Sequence, residues 1–422
     1  MIPILNHQET QDFLAKQVVS DSTNNADIST TTASIIRSVK ENGDNALIEL
    51  ANKFGDARLE QNRFQLSEQE IITAINRLPK EIKTLLETSA KNIRDFATAT
   101  VNSLQPFELK RDGYSIGMRY EPVDSVVCYV PAGRYPLPST ALMTTLTAQA
   151  AGVQTIYLTS PKLNDEIIYA GSLAGVTTYY QCGGAQAVAA FAYGTASIPK
   201  SDMFVGPGNA YVTEAKQQLQ GHIGIDLLAG PSEVTIIADE YAHPDWLALD
   251  MLAQAEHDPK ARSFLFTTSQ AIANETQKAL QNYCETADWL PDFIQQSLKN
   301  SLIGLLETKE DCINLTNTCA PEHLELHVRD PEHYLDSLKH YGALFIGNKA
   351  CVSFGDYMAG PNHTLPTARR SRFQGGLTPL TFLRAQTWMR PTGDITALAQ
   401  ATANFATLEA LHAHSRSARN RI

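Results

Sequence analysis

The sequence predicts an α/β protein built from doubly wound parallel sheets. From about residue 125 onward, short runs of β-branched and aromatic residues alternate with segments of helical pattern, which is typical of parallel βαβ units. The length of 422 residues indicates two or three domains, at about 150 residues per domain. With 43% hydrophobic residues, the chain can fill a sizeable core in each domain.

The opening segment, residues 29–102, is predicted to be mostly helical. Apolar residues recur there at helical spacing, as in Ile35, Ile36 and Val39. Strand signals begin after this segment, and helical patterns separate most of them. The predicted strands of this first stretch are 125–130, 154–158, 176–180, 202–206 and 234–239, and the predicted helices are 139–151, 184–192 and 209–219.

A second alternating stretch predicts a second α/β domain. It comprises a helix at 244–257, a strand at 263–268, a helix at 270–283 and a strand at 342–347. A passage rich in glycine, proline and arginine, residues 355–376, then interrupts the regular structure. The last segment, 393–420, is predicted to be a helical tail that packs on its own chain or reaches a partner subunit.

The composition favours a protein with small-molecule partners. The formal net charge of −11 provides no basic surface for nucleic acid or an anionic membrane. The six cysteines form no CxxC pair, so we expect reduced thiols rather than a zinc knuckle or disulfides. The N-terminus lacks a signal-peptide pattern, and no window reaches the ~18 apolar residues of a membrane span. We therefore expect a cytoplasmic protein.

The histidines are concentrated in the second half of the chain, because His7 alone precedes residue 222. The first candidate pair there is Gln254 and His257. Residues i and i+3 share one face of a helix, so both side chains can converge on one metal ion. A solvent-facing polar helix surface has the same spacing, and the spacing alone leaves both interpretations open.

A second pair, Glu322 and His323, directly follows Pro321. On a turn after proline the two side chains can face one cleft, where an acid that activates water and a base that accepts an alcohol proton suit each other. Asp356 lies near glycines on a predicted irregular loop, with His363 seven residues on. That arrangement suits a carboxylate that binds a metal or orients another group. Ordinary surface residues are the alternative in both places.

The predicted tail contains the last cluster of polar side chains, Glu409, His412 and His414. Glu409 and His414 diverge by ~140° on an ideal helix, so their joint use requires a loosened last turn. Upstream, glycine turns at 183–184 and 206–209 follow predicted strands and can place backbone N–H groups beside a phosphate or ribose. Neither turn is a GxGxxG motif, and each by itself indicates only a generic ligand-binding sheet edge.

Seven motifs, in order along most of the chain, resemble histidinol dehydrogenases. The segment at 38–56 and the last residues, LHAHSRSARNRI, are also similar to that family. The seven motifs are YVPAGRYPLPSTALM (129–143), GGAQAVAAFAYGT (183–195), GPGNAYVTEAK (206–216), DLLAGPSEVTIIAD (226–239), LAQAEHDP (252–259), APEHLEL (320–326) and GDYMAGPNHTLPT (355–367).

The resemblance implies a zinc-dependent enzyme that oxidises L-histidinol through L-histidinal to L-histidine with two NAD, the last step of histidine biosynthesis. It implies one Zn²⁺ per subunit, with the substrate's imidazole and amine filling the open metal positions. The metal ligands carried over are Gln254, His257, Asp356 and His414.

The resemblance also implies roles for residues around the metal. His323 is the base in both oxidations, Glu322 activates water for the second, and His363 has a supporting role. The implied substrate contacts are Ser232, Gln254, His257, His323, Asp356, Glu409 and His414. The implied cofactor contacts are Tyr129, Gln186 and Asn209.

The family fold implies two Rossmann-like domains and a homodimer with shared active sites, to which the tail of the neighbouring subunit contributes. No nucleic acid or membrane partner is implied. The predicted boundaries are an N-terminal helical segment at 1–25, a discontinuous first domain at 26–127 plus 234–378, an NAD-binding second domain at 128–233, and a helical C-terminal tail at 379–422.

Two departures from the family pattern concern the cofactor. Ala132-Gly133 replaces a usual Gly-Gly, and a stretch with Arg369, Arg370 and Arg372 replaces a glycine-rich one. We expect the arginines to form a solvated patch rather than a phosphate contact. The alternative function is a paralogous NAD-dependent dehydrogenase of another small alcohol. A zinc hydrolase that uses Glu322, or a scaffold without catalysis, are alternatives of other classes.

Overall fold

The structure, a computed structural model, describes residues 2–23, 26–54, 63–132 and 136–422, with backbone only for 18–23. The helices are α1 His7–Thr23, α2 Ala26–Asn42, α3 Asp44–Phe54, α4 Glu68–Arg77, α5 Lys80–Ser103, α6 Pro138–Ala150, α7 Asp165–Leu173, α8 Gly184–Tyr193, α9 Ala210–Leu219, α10 Pro244–Ala255, α11 Gln270–Thr286, α12 Ile294–Leu298, α13 Lys309–Cys319, α14 Glu332–Leu335, α15 Val352–Tyr357, α16 Thr396–Leu408 and α17 His412–Arg419. The strands are β1 Ile4–Leu5, β2 Phe107–Arg111, β3 Tyr114–Pro122, β4 Ser125–Tyr129, β5 Thr155–Thr159, β6 Thr178–Tyr180, β7 Met203–Val205, β8 Gly224–Ile225, β9 Glu233–Ala238, β10 Arg262–Thr267, β11 Leu302–Leu305, β12 His323–His327, β13 Ala343–Ile346 and β14 Leu383–Pro391.

Two parallel sheets form the framework, as predicted. Sheet A has six strands in the order β1-β11-β10-β9-β12-β13, and sheet B has five in the order β6-β5-β4-β7-β8. Strands β9 and β12 are buried along their whole length, because helices cover both faces of a parallel sheet. The α/β class with two doubly wound units is therefore confirmed.

A third sheet was missed by the sequence analysis. Sheet C is antiparallel, and β3 lies between β14 and β2. Because β14 covers Leu383–Pro391, the predicted helical tail at 379–422 is wrong for that part. A short 3₁₀ helix, Pro379–Phe382, precedes the strand, and α-helix begins at Thr396. The segment pairs with β3 over nine residues, and this distant pairing determines its conformation.

The opening segments pack differently from the predicted domain boundaries. Helix α2 packs on α8 and α9 of the sheet B unit, with Ile35, Ile36 and Val39 in its core. Strand β1 instead pairs with β11, so the N-terminus belongs to sheet A. The boundaries elsewhere stay a prediction, and Met1, Asn24 and Asn25 of the N-terminal segment lie outside the described residues.

The two tail helices, α16 and α17, pack on each other and leave large apolar side chains in solvent. Phe405 is 63% exposed and Leu408 is 80% exposed. None of the helices in the described part of the chain has the length and apolarity of a bilayer span.

Candidate active site

The predicted cofactor residues lie together at the carboxyl edge of sheet B. Tyr129 ends β4, Gln186 lies in the first turn of α8 beyond β6, and Asn209 is the N-cap of α9 beyond β7. Ligands of open α/β sheets bind at this edge. Asn209 Oδ1 accepts hydrogen bonds from the backbone N–H groups of Tyr211 (3.0 Å) and Val212 (3.1 Å), and these bonds do not use the donors of its NH₂ group.

A buried ion pair fixes the turn that leads to Asn209. Lys216 Nζ donates to Gly206 O at 3.0 Å and pairs with Asp226, which accepts from Gly206 N at 2.7 Å. Both charged side chains are at most 2% exposed. Gly206 has φ +116°, and a Cβ there would lie 2.2 Å from Tyr129 O. The pair and the glycine thus hold the turn against the end of β4.

Glu322 and His323 lie at the amino edge of sheet A, whereas the predicted cofactor residues lie at the carboxyl edge of sheet B. Ala320 ends α13 in the left-handed conformation, and β12 begins at His323. Glu322 Oε2 accepts a hydrogen bond from Glu233 N at 3.0 Å and lies 3.6 Å from His323 Nδ1. The side chain of Ser232 is also close enough to lower the pKa of Glu322 slightly. The expected convergence of this acid and base is therefore present.

Burial sets the protonation of this pair. It raises the pKa of Glu322 well above its usual value, and the charges of Glu233 and Asp356 add to the rise. Burial, together with the nearby His257, lowers the pKa of His323 to about 3. The carboxylate oxygens of the described residues near the His323 ring lie beyond hydrogen-bond distance, at 3.6 Å from Nδ1 for Glu322 and 3.9 Å from Nε2 for Asp356. The imidazole of His323 is therefore unprotonated at neutral pH, and one ring nitrogen can accept a hydrogen bond from a substrate hydroxyl.

Asp356 lies beside His323, but not in the irregular loop that the sequence predicted. It belongs to the short helix α15, and its Oδ1 lies 3.9 Å from His323 Nε2. Gly355 is needed for close packing, since a Cβ there would lie 2.7 Å from the Phe345 ring. Gly355 therefore has a packing role, and the glycine of this motif with a left-handed backbone is Gly360, with φ +103°. His363 Nδ1 bonds the Asp356 carbonyl oxygen at 3.0 Å.

Several of these side chains suit a divalent cation. Both polar atoms of the Gln254 side chain are buried and, within the described part of the chain, have no hydrogen-bond partner. Burial raises the pKa of Asp356 to about 7, with a contribution from Glu325, so a nearby positive charge would stabilise its ionised form. Desolvation lowers the pKa of His257 and favours the neutral ligand form, although much of this residue faces solvent. Nitrogen and oxygen donors of this kind fit Zn²⁺.

Known proteins with similar sequences cover the entire site. The sequence model of histidinol dehydrogenase matches residues 19–422. A histidinol dehydrogenase of Methanocaldococcus jannaschii is 38% identical over 98% of this chain and 97% of its own length. One from Synechococcus is 39% identical over 92% of this chain and 90% of its own. The chain belongs to the histidinol dehydrogenase family.

The structure agrees with this family assignment. A crystal structure of histidinol dehydrogenase from Elizabethkingia anophelis superposes with a TM-score of 0.87 at 34% identity, covering 93% of this chain and 91% of that one. The resemblance drawn from the seven motifs is thus confirmed. All the residues named for the site lie within the matched range.

Within the described part of one chain, the tail residues of this family member form no close group of candidate metal ligands with the other site residues. Glu409 and His414 are exposed, and neither side chain has a hydrogen bond or ion pair among the described residues. The structure does not bring His414 into a close group with His257 and Asp356. The predicted four-ligand set is therefore not assembled from a single chain.

The arginine stretch is more ordered than the predicted solvated patch. Arg370 Nη1 donates to Leu228 O at 3.1 Å, and Arg372 Nη1 donates to Asn317 O at 2.9 Å. These two guanidinium groups attach the segment to its surroundings. Arg372 is exposed, as expected of a solvated patch, whereas Arg370 is half-buried. Of the Ala132-Gly133 pair, which replaces the usual Gly-Gly of the family, Gly133 lies outside the described residues.

Three polar residues near the site escaped the sequence analysis. Asp250, Glu325 and His327 offer ligand atoms within 4.8 Å of one another and form the one such His, Cys, Asp or Glu group found in the described residues. The available signal was spacing, since Glu325 and His327 follow His323 at i+2 and i+4 on one strand face. Asp250 likewise precedes Gln254 by one helical turn.

Proposed function

We propose that this chain is a zinc-dependent dehydrogenase that oxidises L-histidinol via L-histidinal to L-histidine with two NAD, the last step of histidine biosynthesis. The observation that carries the proposal is the buried Glu322–His323 pair beside Asp356, in a chain of this family. Burial increases the proton affinity of Glu322, which suits a group that takes a proton from water, and it keeps His323 unprotonated before the substrate binds. A side chain must be unprotonated before it can act as a general base.

We assign one zinc ion per subunit to Gln254, His257, Asp356 and a His414 from the other subunit. A bound zinc ion supplies a Lewis acid that anchors the amine and imidazole of the substrate. The unpartnered polar atoms of Gln254 and the raised pKa of Asp356 support this placement. Ser232 and Glu409 are proposed as further substrate contacts, and His363 as a support for Asp356 through its carbonyl oxygen.

The proton transfers follow from the positions of the acid and base. Bound NAD accepts one hydride in each oxidation. In the first, His323 takes the hydroxyl proton of L-histidinol as the hydride leaves carbon. In the second, Glu322 takes a proton from water as its oxygen adds to the aldehyde carbon, and His323 then takes a hydroxyl proton of the hydrate. Tyr129, Gln186 and Asn209 are the proposed NAD contacts.

We propose a homodimer whose two active sites are each completed by the tail of the other subunit. The exposed Glu409 and His414, together with the apolar Phe405 and Leu408, support this arrangement. Phe405 and Leu408 lie three residues apart on one face of α16, and neighbouring exposed apolar side chains mark an interaction surface when they form a contiguous patch.

The direct test follows reduced-nicotinamide absorbance with L-histidinol, before and after the metal is removed with a chelator. We expect two NADH per histidinol, loss of the signal with the metal, and recovery on adding zinc. Equal activity with unrelated small alcohols would favour the paralogous dehydrogenase. A protein that contains zinc but forms no NADH from any alcohol would favour the hydrolase. A protein that contains no zinc and forms no NADH would favour the scaffold.

Glu322→Gln should affect the two oxidations unequally. We expect the oxidation of supplied L-histidinal to fall by about 10²-fold or more, because the amide cannot take a proton from water. Oxidation of L-histidinol to the aldehyde should fall much less. Each half-reaction is measured by stopped-flow NADH absorbance, with the exposed Glu310→Gln as the control. Equal losses in both would contradict the role of Glu322.

Mixed dimers test whether the tail completes the other subunit's site. His323→Asn and His414→Ala homodimers should both be nearly inactive. A one-to-one mixture after subunit exchange should regain about one quarter of the wild-type activity, since half the dimers are mixed and each contains one intact site. A mixture of His414→Ala with Glu409→Ala is the control and should recover nothing. If the first mixture also stays inactive, the tail serves its own chain.

A further inference from the structure

The cluster of Asp250, Glu325 and His327 is not used by the mechanism above. The Glu325 side chain is completely buried in the middle of β12, and that of His327 is 1% exposed. A buried carboxylate is costly unless hydrogen bonds or opposite charges compensate for lost water. The structure provides such partners, and they connect two elements of the proposed zinc site.

The first connection runs from Glu325 to helix α15. Glu325 Oε1 accepts a hydrogen bond at 2.8 Å from the backbone N–H of Val352, the first residue of that helix. The N-cap residue, Cys351, forms no side-chain cap. The first N–H groups of a helix lack partners within the helix, and a carboxylate placed there also interacts favourably with the helix dipole. Glu325 thus supplies, from a distant strand, the cap that α15 lacks.

The second connection runs from Glu325 to helix α10. Glu325 Oε2 lies 3.2 Å from His327 Nε2, which donates to it when the proton is on Nε2. An Asp250 carboxyl oxygen lies within 4.8 Å of one from Glu325 and 3.9 Å from His327 Nε2. Burial and the neighbouring Glu325 raise the pKa of Asp250 to about 8, so at neutral pH Asp250 is mostly protonated and can donate. Asp250 lies one helical turn before Gln254.

We infer that Glu325 is a positioning residue that sets the placement of Asp356 by fixing the first turn of α15, with Asp250 and His327 holding its carboxylate in place. Asp356 follows Val352 by four residues, so a shift at the start of this short helix moves Asp356 directly. The inference rests on the proposed role of Asp356 as a metal ligand. Residues that orient ligands in this way typically change metal affinity about 10- to 100-fold when replaced.

Two substitutions separate the hydrogen bond from the charge. Glu325→Met has nearly the same shape but cannot accept from Val352, and should weaken zinc binding about 10- to 100-fold in chelator competition. Its Co²⁺-substituted form should show an altered visible spectrum. Glu325→Gln keeps an acceptor oxygen and should stay within about threefold of wild type. The matched control is Thr235→Val, which changes a buried residue of neighbouring β9 that is distant in sequence from α15.

A metal-free measurement reports how firmly the hydrogen bonds of α15 are held. Hydrogen exchange of segment 352–357 should be faster in Glu325→Met and unchanged in Glu325→Gln and Thr235→Val. The inference is overturned if a correctly folded Glu325→Met protein binds zinc with the affinity of wild type. It is also overturned if wild type binds a second metal ion that Glu325→Gln no longer binds, because Glu325 would then be a metal ligand. If the wild-type protein neither binds zinc nor oxidises histidinol, the proposed function is refuted. The hydrogen-exchange result would still test whether Glu325 caps α15.

Discussion

Replacing His323 by asparagine is expected to nearly abolish both oxidations. The imidazole is the neutral base for each proton removed from oxygen, and an amide cannot accept that proton at neutral pH. We expect kcat to fall by about 10²- to 10⁴-fold with L-histidinol and with L-histidinal, while zinc content stays close to wild type. Steady-state NADH formation with each substrate and metal analysis of the purified variant measure these effects.

The control for this variant is His333→Asn, since His333 is exposed on α14 and has no proposed role. Its activity should match wild type. Because His323 is buried, thermal unfolding of His323→Asn must also be compared with wild type. A correctly folded His323→Asn protein that oxidises either substrate at more than about one tenth of the normal rate would remove His323 from the role of base.

Replacing Lys216 by methionine is expected to destabilise the sheet B unit strongly. The substitution leaves Asp226 buried without its counter-ion, and breaking a buried pair from one side typically costs about 3 to 5 kcal/mol. The Gly206 turn also loses a donor to its carbonyl oxygen, so NAD binding near Asn209 should weaken. Thermal or urea unfolding measures the first effect, and calorimetric titration with NAD measures the second.

Two further variants make this result specific. Lys216→Met combined with Asp226→Asn removes both charges and should recover part of the stability, because no uncompensated charge remains. Lys91→Met removes an exposed pair with Asp95 and should change stability by about 1 kcal/mol at most. If Lys216→Met unfolds like Lys91→Met and binds NAD normally, the buried pair does not support the cofactor edge.

Periodic and local features of the sequence were sufficient for the parallel sheets. The strands at β4, β5, β9 and β10 are short apolar runs between glycine or proline signals, and such runs are readable without tertiary information. Strand β12 was not predicted, because its letters HLELH place two histidines and a glutamate in a buried strand. Polar residues there make sense only once their partners on other elements are known.

The site shows the same division between local and tertiary information. Glu322, His323 and Asp356 were named because each belongs to a motif, and the structure brings these three together. Glu325 was passed over because its partner, the Val352 N–H, is 27 residues away and on another element. The placement of His414 depends on a second chain and so lies beyond the geometry of one subunit.

Sheet C determines where the chain can be shortened. Strand β14 covers one side of β3, while β2 covers the other. A protein truncated before Leu383 would leave β3 with an open row of backbone N–H and C=O groups, which readily recruits other chains into aggregates. Removal of the tail after Pro391 keeps that side of β3 paired. We therefore expect a shortened protein that ends just after β14 to stay soluble, so that the missing tail can be added as a synthetic peptide and its binding measured.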